Sequence, residues 1–293
     1  MNDEKRFNIG ATIILLILSV ITLLPIVLVI IASFTDETVL IANGYSFFPE
    51  KFSLDSYYYL INKGATILRA YGVTIFVTIV GTSVSVLLTS SLAYSMSRSS
   101  FKYKNALAFF VFFTMLFNGG IVSSYIMWSN IFNIKDTIWA LIVPNYLVTA
   151  FNVFLVRNYY VNSIPDSIIE AAQIDGAGEL RIFTKIALPL SVPTLATISL
   201  FTGLTYWNDW INGLYYIRDP KYFGIQNLLM KIMDNIQFLR TGSSNLLGLG
   251  NLDLPSSAVR MALAVIGILP ILIIYPFVQK HFVKGVVLGA VKG

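Results

Sequence analysis

Residues 170–189 read EAAQIDGAGELRIFTKIALP, a polar stretch between two long hydrophobic runs. Four carboxylates, Asp166, Glu170, Asp175 and Glu179, crowd into this stretch and its approach. Carboxylates this close could work as general acid and base, or hold a metal ion. The rest of the chain offers that chemistry little help. It has no cysteine, and its one histidine, His281, reads as a solvated helix end near the C-terminus. The spacing suits another use. Glu170, Ala171 and Ala172 are followed after three residues by Gly176, and after nine more by Ile186, Leu188 and Pro189. Ser163 can cap a helix beginning near Pro165, because proline suits a first helical position. Asp166 and Glu170 then lie toward the positive end of the helix dipole. Ile168, Ile169, Ala171 and Ala172 form an apolar face with a patch of small residues. Gly176 supplies a turn that needs φ > 0, and a second short helix, roughly 178–187, leads to Pro189. The pattern predicts a helix, a glycine turn and a helix: a compact knob that some other surface reads.

A second set of residues lies in or beside the apolar runs: Asn118, Asn145, Tyr146, Asn152, Trp207, Asn208 and Trp210, with Asp209 at the edge. Amides and aromatic faces suit a sugar, which offers hydroxyls and apolar C–H faces. Tyrosine and tryptophan also gather at membrane interfaces, and asparagine also bonds across helices, so these residues have structural uses too. The runs carry no buried charge of the kind that marks a proton relay or sodium site. The cluster Phe109, Phe110, Phe112 and Phe113 reads as packing or lipid-facing surface.

The elements that position these residues are membrane helices. The chain of 293 residues is 56% hydrophobic and 12% charged, with a mean hydropathy of +0.73. A globular chain is about a quarter charged. Six charge-free stretches, 7–34, 70–97, 105–134, 137–156, 186–208 and 261–279, reach the length needed to cross the hydrocarbon core at about 1.5 Å per residue. They lack the period-2 alternation of barrel strands, so helices are expected. The first is too long for a signal-peptide core and has no small-residue cleavage site after it, so it reads as a retained helix. With six spans both termini share a side. That side collects Lys5, Arg6, Arg98, Lys102, Lys104, Arg157, Arg181, Lys185, Lys280, Lys284 and Lys292, mostly in short segments, and the positive-inside rule makes it cytoplasmic. The knob then faces the compartment that holds ATP. The net charge of +5 reflects loop orientation and points to neither nucleic acid nor a polybasic anchor. Two outer segments, 35–69 and 211–258, are rich in turn residues, including Asn43-Gly44, Asp219-Pro220 and Thr241-Gly242-Ser243-Ser244-Asn245. They are expected to be structured loops. No phosphate-binding G-x-x-x-x-G-K-[ST] loop is present, so an energy source must lie on a partner.

The Glu170–Pro189 pattern resembles the "EAA loop" of membrane subunits of bacterial ABC importers. Phe117-Asn118-Gly119-Gly120, Ile164-Pro165 and Tyr206-Trp207-Asn208-Asp209-Trp210 resemble the carbohydrate-uptake, maltose-type group, especially its complex-oligosaccharide branch. The resemblance runs from about residue 70 to 281. It implies an all-α polytopic fold with six transmembrane helices, the type I importer transmembrane domain. A cytoplasmic N-terminus and the first span would occupy 1–35, an outer loop 36–69, the domain 70–281 and a cytoplasmic tail 282–293. Core spans would run at about 70–97, 105–130, 137–160, 187–211 and 259–281, with the coupling loop at 163–187. Glu170, Ala171, Ala172, Asp175, Gly176, Ile186, Leu188 and Pro189 would dock on an ATPase. The implied partners are a second permease, an ATPase dimer that carries ATP and Mg, an extracytoplasmic solute-binding protein, an oligosaccharide and membrane lipid. The chain itself would bind no cofactor or metal and catalyse nothing. By the same resemblance, the loop between the last two spans would reach the binding protein. Two other readings stay open: a stand-alone secondary transporter or channel, and a membrane enzyme acting on lipid-linked sugars.

Overall fold

The computed structural model describes residues 2–246 and 257–290. In chain order the helices are α1 (Asn2–Ser33), α2 (Glu37–Asn43), α3 (Asp55–Ile61), α4 (Gly64–Ser97), α5 (Lys104–Leu116), α6 (Gly120–Ile126), α7 (Trp139–Ile142), α8 (Ala150–Ser163), α9 (Asp166–Ile174), α10 (Glu179–Ile182), α11 (Leu188–Leu190), α12 (Val192–Trp207), α13 (Ile211–Tyr216), α14 (Ile225–Leu246) and α15 (Ser257–Ala290). Wider π turns follow α6 at Met127–Ile131 and α10 at Phe183–Ala187. Among the described residues the only β pairing is an isolated bridge between Thr35 and Phe52. The all-α expectation therefore holds.

The spans are less regular than the charge-free runs suggest. Two helical stretches, Phe7–Ser33 and Gly64–Ser97, are continuous and apolar enough to cross a membrane. The third run bends by 116° between Lys104–Leu116 and Gly120–Ile131. The fifth bends by 79° between Glu179–Leu190 and Val192–Trp207. Counting each bent pair as one span gives up to four. The fourth run is broken outright between α7 and α8. The outer segment also differs from its turn-rich reading: Thr241-Gly242-Ser243-Ser244-Asn245 lies inside α14. The remainder of that turn-rich segment, residues 247–256, lies outside the described residues.

The chain divides into two compact units, Met1–Ile67 with Leu229–Ile273, and Leu68–Leu228 with Ile274–Gly293. In the first, the apolar window of α1 has a mean hydropathy of 3.3 and buries none of its side chains within the chain, as a lipid-facing helix does. The chain turns back on itself after Ser33. Ser53 N donates to the Phe34 carbonyl at 2.8 Å, and Phe34 stacks on Tyr57 at 4.8 Å. Asp36 caps α2 by accepting from Thr38 N at 3.0 Å, and Lys51 Nζ lies 2.7 Å from its other oxygen. Glu37 accepts from Ser257 N and Ala258 N at 2.8–3.0 Å. A carboxylate there meets the unpaired N–H groups and positive pole of α15.

In the second unit the core gathers residues from α4, α8, α10 and α12, with Ala93, Met96, Val153, Val156, Ile182 and Ile198 almost fully buried. Against lipid, apolar burial alone drives little association. Close packing and hydrogen bonds between helices carry it. Both are visible. Gly81 admits the Tyr206 ring so closely that a β-carbon there would lie 2.5 Å from it. Asn152 Nδ2 donates to Thr202 Oγ1 at 3.3 Å, joining α8 to α12.

Candidate functional site

The knob forms as its spacing predicts, with one change at its start. Ser163 ends α8 and does not cap α9; Pro165 holds the N-cap position without a side-chain bond. The residue before a proline avoids the helical region, so Ile164 is extended and the break falls there. At the other end of α9, Gly176 has φ of +78°. Gly176 N donates to the Gln173 carbonyl and Ala177 N to the Ala172 carbonyl, at 3.0 and 2.9 Å. This pair of bonds is the Schellman pattern, and it fixes the turn after Asp175. The expected second helix is a short α10 that widens into the π turn before α11.

Glu179 fastens the knob to α4. Its carboxylate accepts from Tyr94 Oη at 2.6 Å and from Gln173 Nε2 at 3.1 Å, and Arg98 Nε lies 3.5 Å away. The Tyr94 ring packs on Phe183 and Tyr160 at 5.1 and 6.0 Å. Tyr159 Oη donates to the Leu190 carbonyl at 2.9 Å, securing the far end. The candidate coupling residues then separate by role. Glu170, Ala171, Asp175, Gly176 and Pro189 face outward. Ala172, Ile186 and Leu188 pack against the core of this unit. The outward face also exposes Ile174 at 86% and Leu180 at 76%. The sequence reading had not singled out these two, and it had named Glu179 only among the four clustered carboxylates. The outward face of the knob is therefore apolar as well as polar. The four carboxylates do not converge: Glu179, half-exposed, is tied to Tyr94, Gln173 and Arg98, while Asp166, Glu170 and Asp175 are exposed without such ties among the described residues.

The aromatic and amide set centres on the break between α7 and α8. Pro144 interrupts the helix, and Asn145 takes a left-handed φ of 69°. A helix ended at membrane depth leaves carbonyls that need donors. Tyr206 Oη donates to the Ile142 carbonyl at 2.8 Å, and Asn212 Nδ2 to the Pro144 carbonyl at 3.3 Å. Asp209 accepts from Tyr146 Oη at 3.1 Å and from the N–H groups of Ile211 and Asn212 at 3.0 and 3.1 Å. Asp209 thus holds both the broken segment and the first turn of α13.

Beside this network lies a cavity of about 350 Å³ lined by Tyr146, Asn208, Asp209 and Trp210 with Leu204, Thr205 and Ile211. An adjoining cavity of about 290 Å³ shares Tyr146 and Thr205 and adds Asn152, Phe201 and Thr202. Of the seven candidate path residues, Tyr146, Asn152, Asn208 and Trp210 line these cavities. Trp207 is buried, with its ring 6.3 Å from that of Tyr71. Asn118 lies away from the cavities in the bend before α6, where its side chain accepts from Gly120 N at 2.9 Å. Asn145 bonds Asn212 at 3.4 Å. Asp209 is the residue that the reading by type left at the margin. Its signal was a lone carboxylate between two tryptophans at the end of an apolar run.

Residues 85–288 match the family model described as "Binding-protein-dependent transport system inner membrane component". The chain is 40% identical over 279 residues to the polygalacturonan/rhamnogalacturonan transport system permease protein YtcP of Bacillus subtilis (strain 168), covering 95% of this chain and 96% of that protein. It is 38% identical over 273 residues to protein LplC of the same organism, covering 93% and 90%. Among solved structures, a bacterial ABC transporter involved in the import of the acidic polysaccharide alginate has a chain that superposes with a TM-score of 0.79. That chain is 28% identical, and the match covers 96% of this chain and 98% of the other.

Proposed function

The chain belongs to the family of binding-protein-dependent transport system inner membrane components, and we propose that it is the oligosaccharide permease subunit of an ATP-driven importer. The observation that carries this reading is the knob: an exposed face of Glu170, Ala171, Ile174 and Leu180 on a turn locked by Gly176 and clamped through Glu179. In this reading the face docks on a partner ATPase that binds ATP and Mg. Closure of the ATPase dimer moves the knob as a rigid body, and α4 follows through the Tyr94–Glu179 bond. A second, similar permease pairs with this chain to complete the membrane core, and an extracytoplasmic binding protein delivers the sugar. The termini and knob are cytoplasmic. Tyr146, Asn208 and Trp210 contact the sugar beside Asp209. The names of one relative, a polygalacturonan/rhamnogalacturonan permease, and of the alginate importer support an acidic or complex oligosaccharide as cargo.

Co-purification tests the reading. The tagged chain, expressed with its neighbouring genes, should retain an ATPase subunit, and Glu170→Lys should release it while leaving the chain in the membrane. Retention of a fully active ATPase by the Glu170→Lys chain would remove the knob from the coupling role.

A further inference from the structure

Behind the knob, in the same unit, lies a cavity that neither the coupling face nor the sugar path uses. Its volume is about 250 Å³, and it opens among the end of α4, the start of α5, the last turns of α8 and the start of α9. Three cations line it: Arg98, Lys104 and Arg157. Ser97, Ser99 and the Tyr94 and Tyr160 rings are also in its wall, and Asp166 is the one carboxylate there.

Arg98 is 8% exposed. Its Nε is buried and meets no acceptor at hydrogen-bonding geometry among the described residues; Glu179, at 3.5 Å, is an ion-pair neighbour. Arg157 spends its Nε on the Met96 carbonyl at 3.3 Å. The Lys104 side chain makes no hydrogen bond among the described residues. A buried guanidinium without its full set of acceptors is costly, and cations drawn together repel one another. An anion with several oxygens, seated among the three, removes both costs. Arginine forks match phosphate geometry, and a lysine adds a point charge beside them.

We propose that this cavity is a binding site for a phosphate-class anion, supplied by an anionic lipid headgroup or by a free phosphate. Its wall is made from α4, α8 and the root of α9, so an occupant bridges the knob to two membrane helices. This inference is independent of the sugar and of the ATPase reading.

The absence of native cysteine permits a direct test. Ser99→Cys, in the cavity wall, is labelled with a bimane fluorophore in the full chain purified with its associated subunits, with the parent chain as background. In phosphatidylcholine nanodiscs, inorganic phosphate should shift the emission saturably, and chloride at matched ionic strength should not. Lys104→Gln and Arg157→Gln should each weaken the response about ten-fold, the loss expected for one charge-assisted bond. If the headgroup is the source, phosphatidylglycerol nanodiscs should start with the shifted emission and show little further response. If free phosphate is the source, the two lipids should give the same titration. An unsaturable phosphate response with identical starting emission in both lipids would overturn the proposal. So would a response untouched by Lys104→Gln in a chain that keeps its parent melting temperature.

Discussion

The Tyr206 hydroxyl donates to the Ile142 carbonyl at 2.8 Å, and its ring fills the space that Gly81 leaves on α4. One tyrosine therefore both satisfies a broken helix and sets the distance between α4 and α12. Gly81→Val should displace that ring and destabilise the chain by about 1–3 kcal/mol, the usual cost of overpacking. Tyr206→Phe should cost about 1–2 kcal/mol through the stranded carbonyl. Thermal melting of the purified chain reads both. Equal melting temperatures for Gly81→Val and parent would show that α4 and α12 are free to separate.

At the knob, Gly176→Val forces a β-branched residue into a left-handed turn, a strain of about 1–3 kcal/mol. Gly176→Asn tolerates that conformation. Uptake should therefore fail in Gly176→Val and largely survive in Gly176→Asn. Surface expression, measured alongside, should stay constant in both.

In the cavity, Tyr146→Phe removes the donor of a 3.1 Å bond, and Asp209→Asn removes the charge that strengthens its acceptor. Both should raise the substrate concentration needed for half-maximal transport, and the double variant should do little more than either alone. Such non-additivity is the signature of a shared contact. Trp210→Ala, which removes an exposed ring from the cavity wall, should weaken transport without lowering the melting temperature. Trp207→Ala should lower it, because Trp207 is buried.

Asp36 gives the segment after the first span a pH dependence. Hydrogen bonds from Lys51 and Thr38 hold its carboxyl at about 2, below the ordinary 3.8. The folded state binds this proton less readily than the unfolded state does, so the contribution is complete above the ordinary value and lost as pH falls toward 2. Asp36→Asn should flatten the acid limb of a melting-temperature series over that window. It should also weaken the response to salt, since Lys51 is largely solvent-exposed.

Orientation is open to thiol labelling in intact cells. Phe48→Cys, at a position 91% exposed, should react with an impermeant reagent, and Gly178→Cys should not. Ser56, which reads as an equally good outer position in the sequence, is buried at 3% and would report poorly. Labelling of Gly178→Cys from outside would reverse the proposed orientation.

The helical class, the long apolar runs and the Gly176 turn were legible because each depends on local composition or on one residue's backbone freedom. The break at Pro144 was not. Pro25 lies inside an unbroken helix, so proline alone does not decide where a helix ends. Pro144 ends one because Tyr206 and Asn212, more than 60 positions away, bring donors to the freed carbonyls. The same holds for Glu179. In the sequence it is one of four clustered carboxylates, yet Tyr94, 85 positions earlier, makes it the tie between the knob and α4. Trp207 and Trp210 show the limit most plainly: three residues apart and alike in type, one is buried and the other lines a cavity.

The Glu37 carboxylate finds its donors at Ser257, 220 positions later. A ribosome adding roughly 5–20 residues per second needs on the order of 10–45 seconds to make that interval. For that time the folded turn after the first span waits, hydrated and incomplete, while everything between is synthesised. A transcript cut short before codon 257 leaves it permanently without its last helix. The segment after the first span thus gains the last of these hydrogen-bond partners only once residues 257 and 258 have been made.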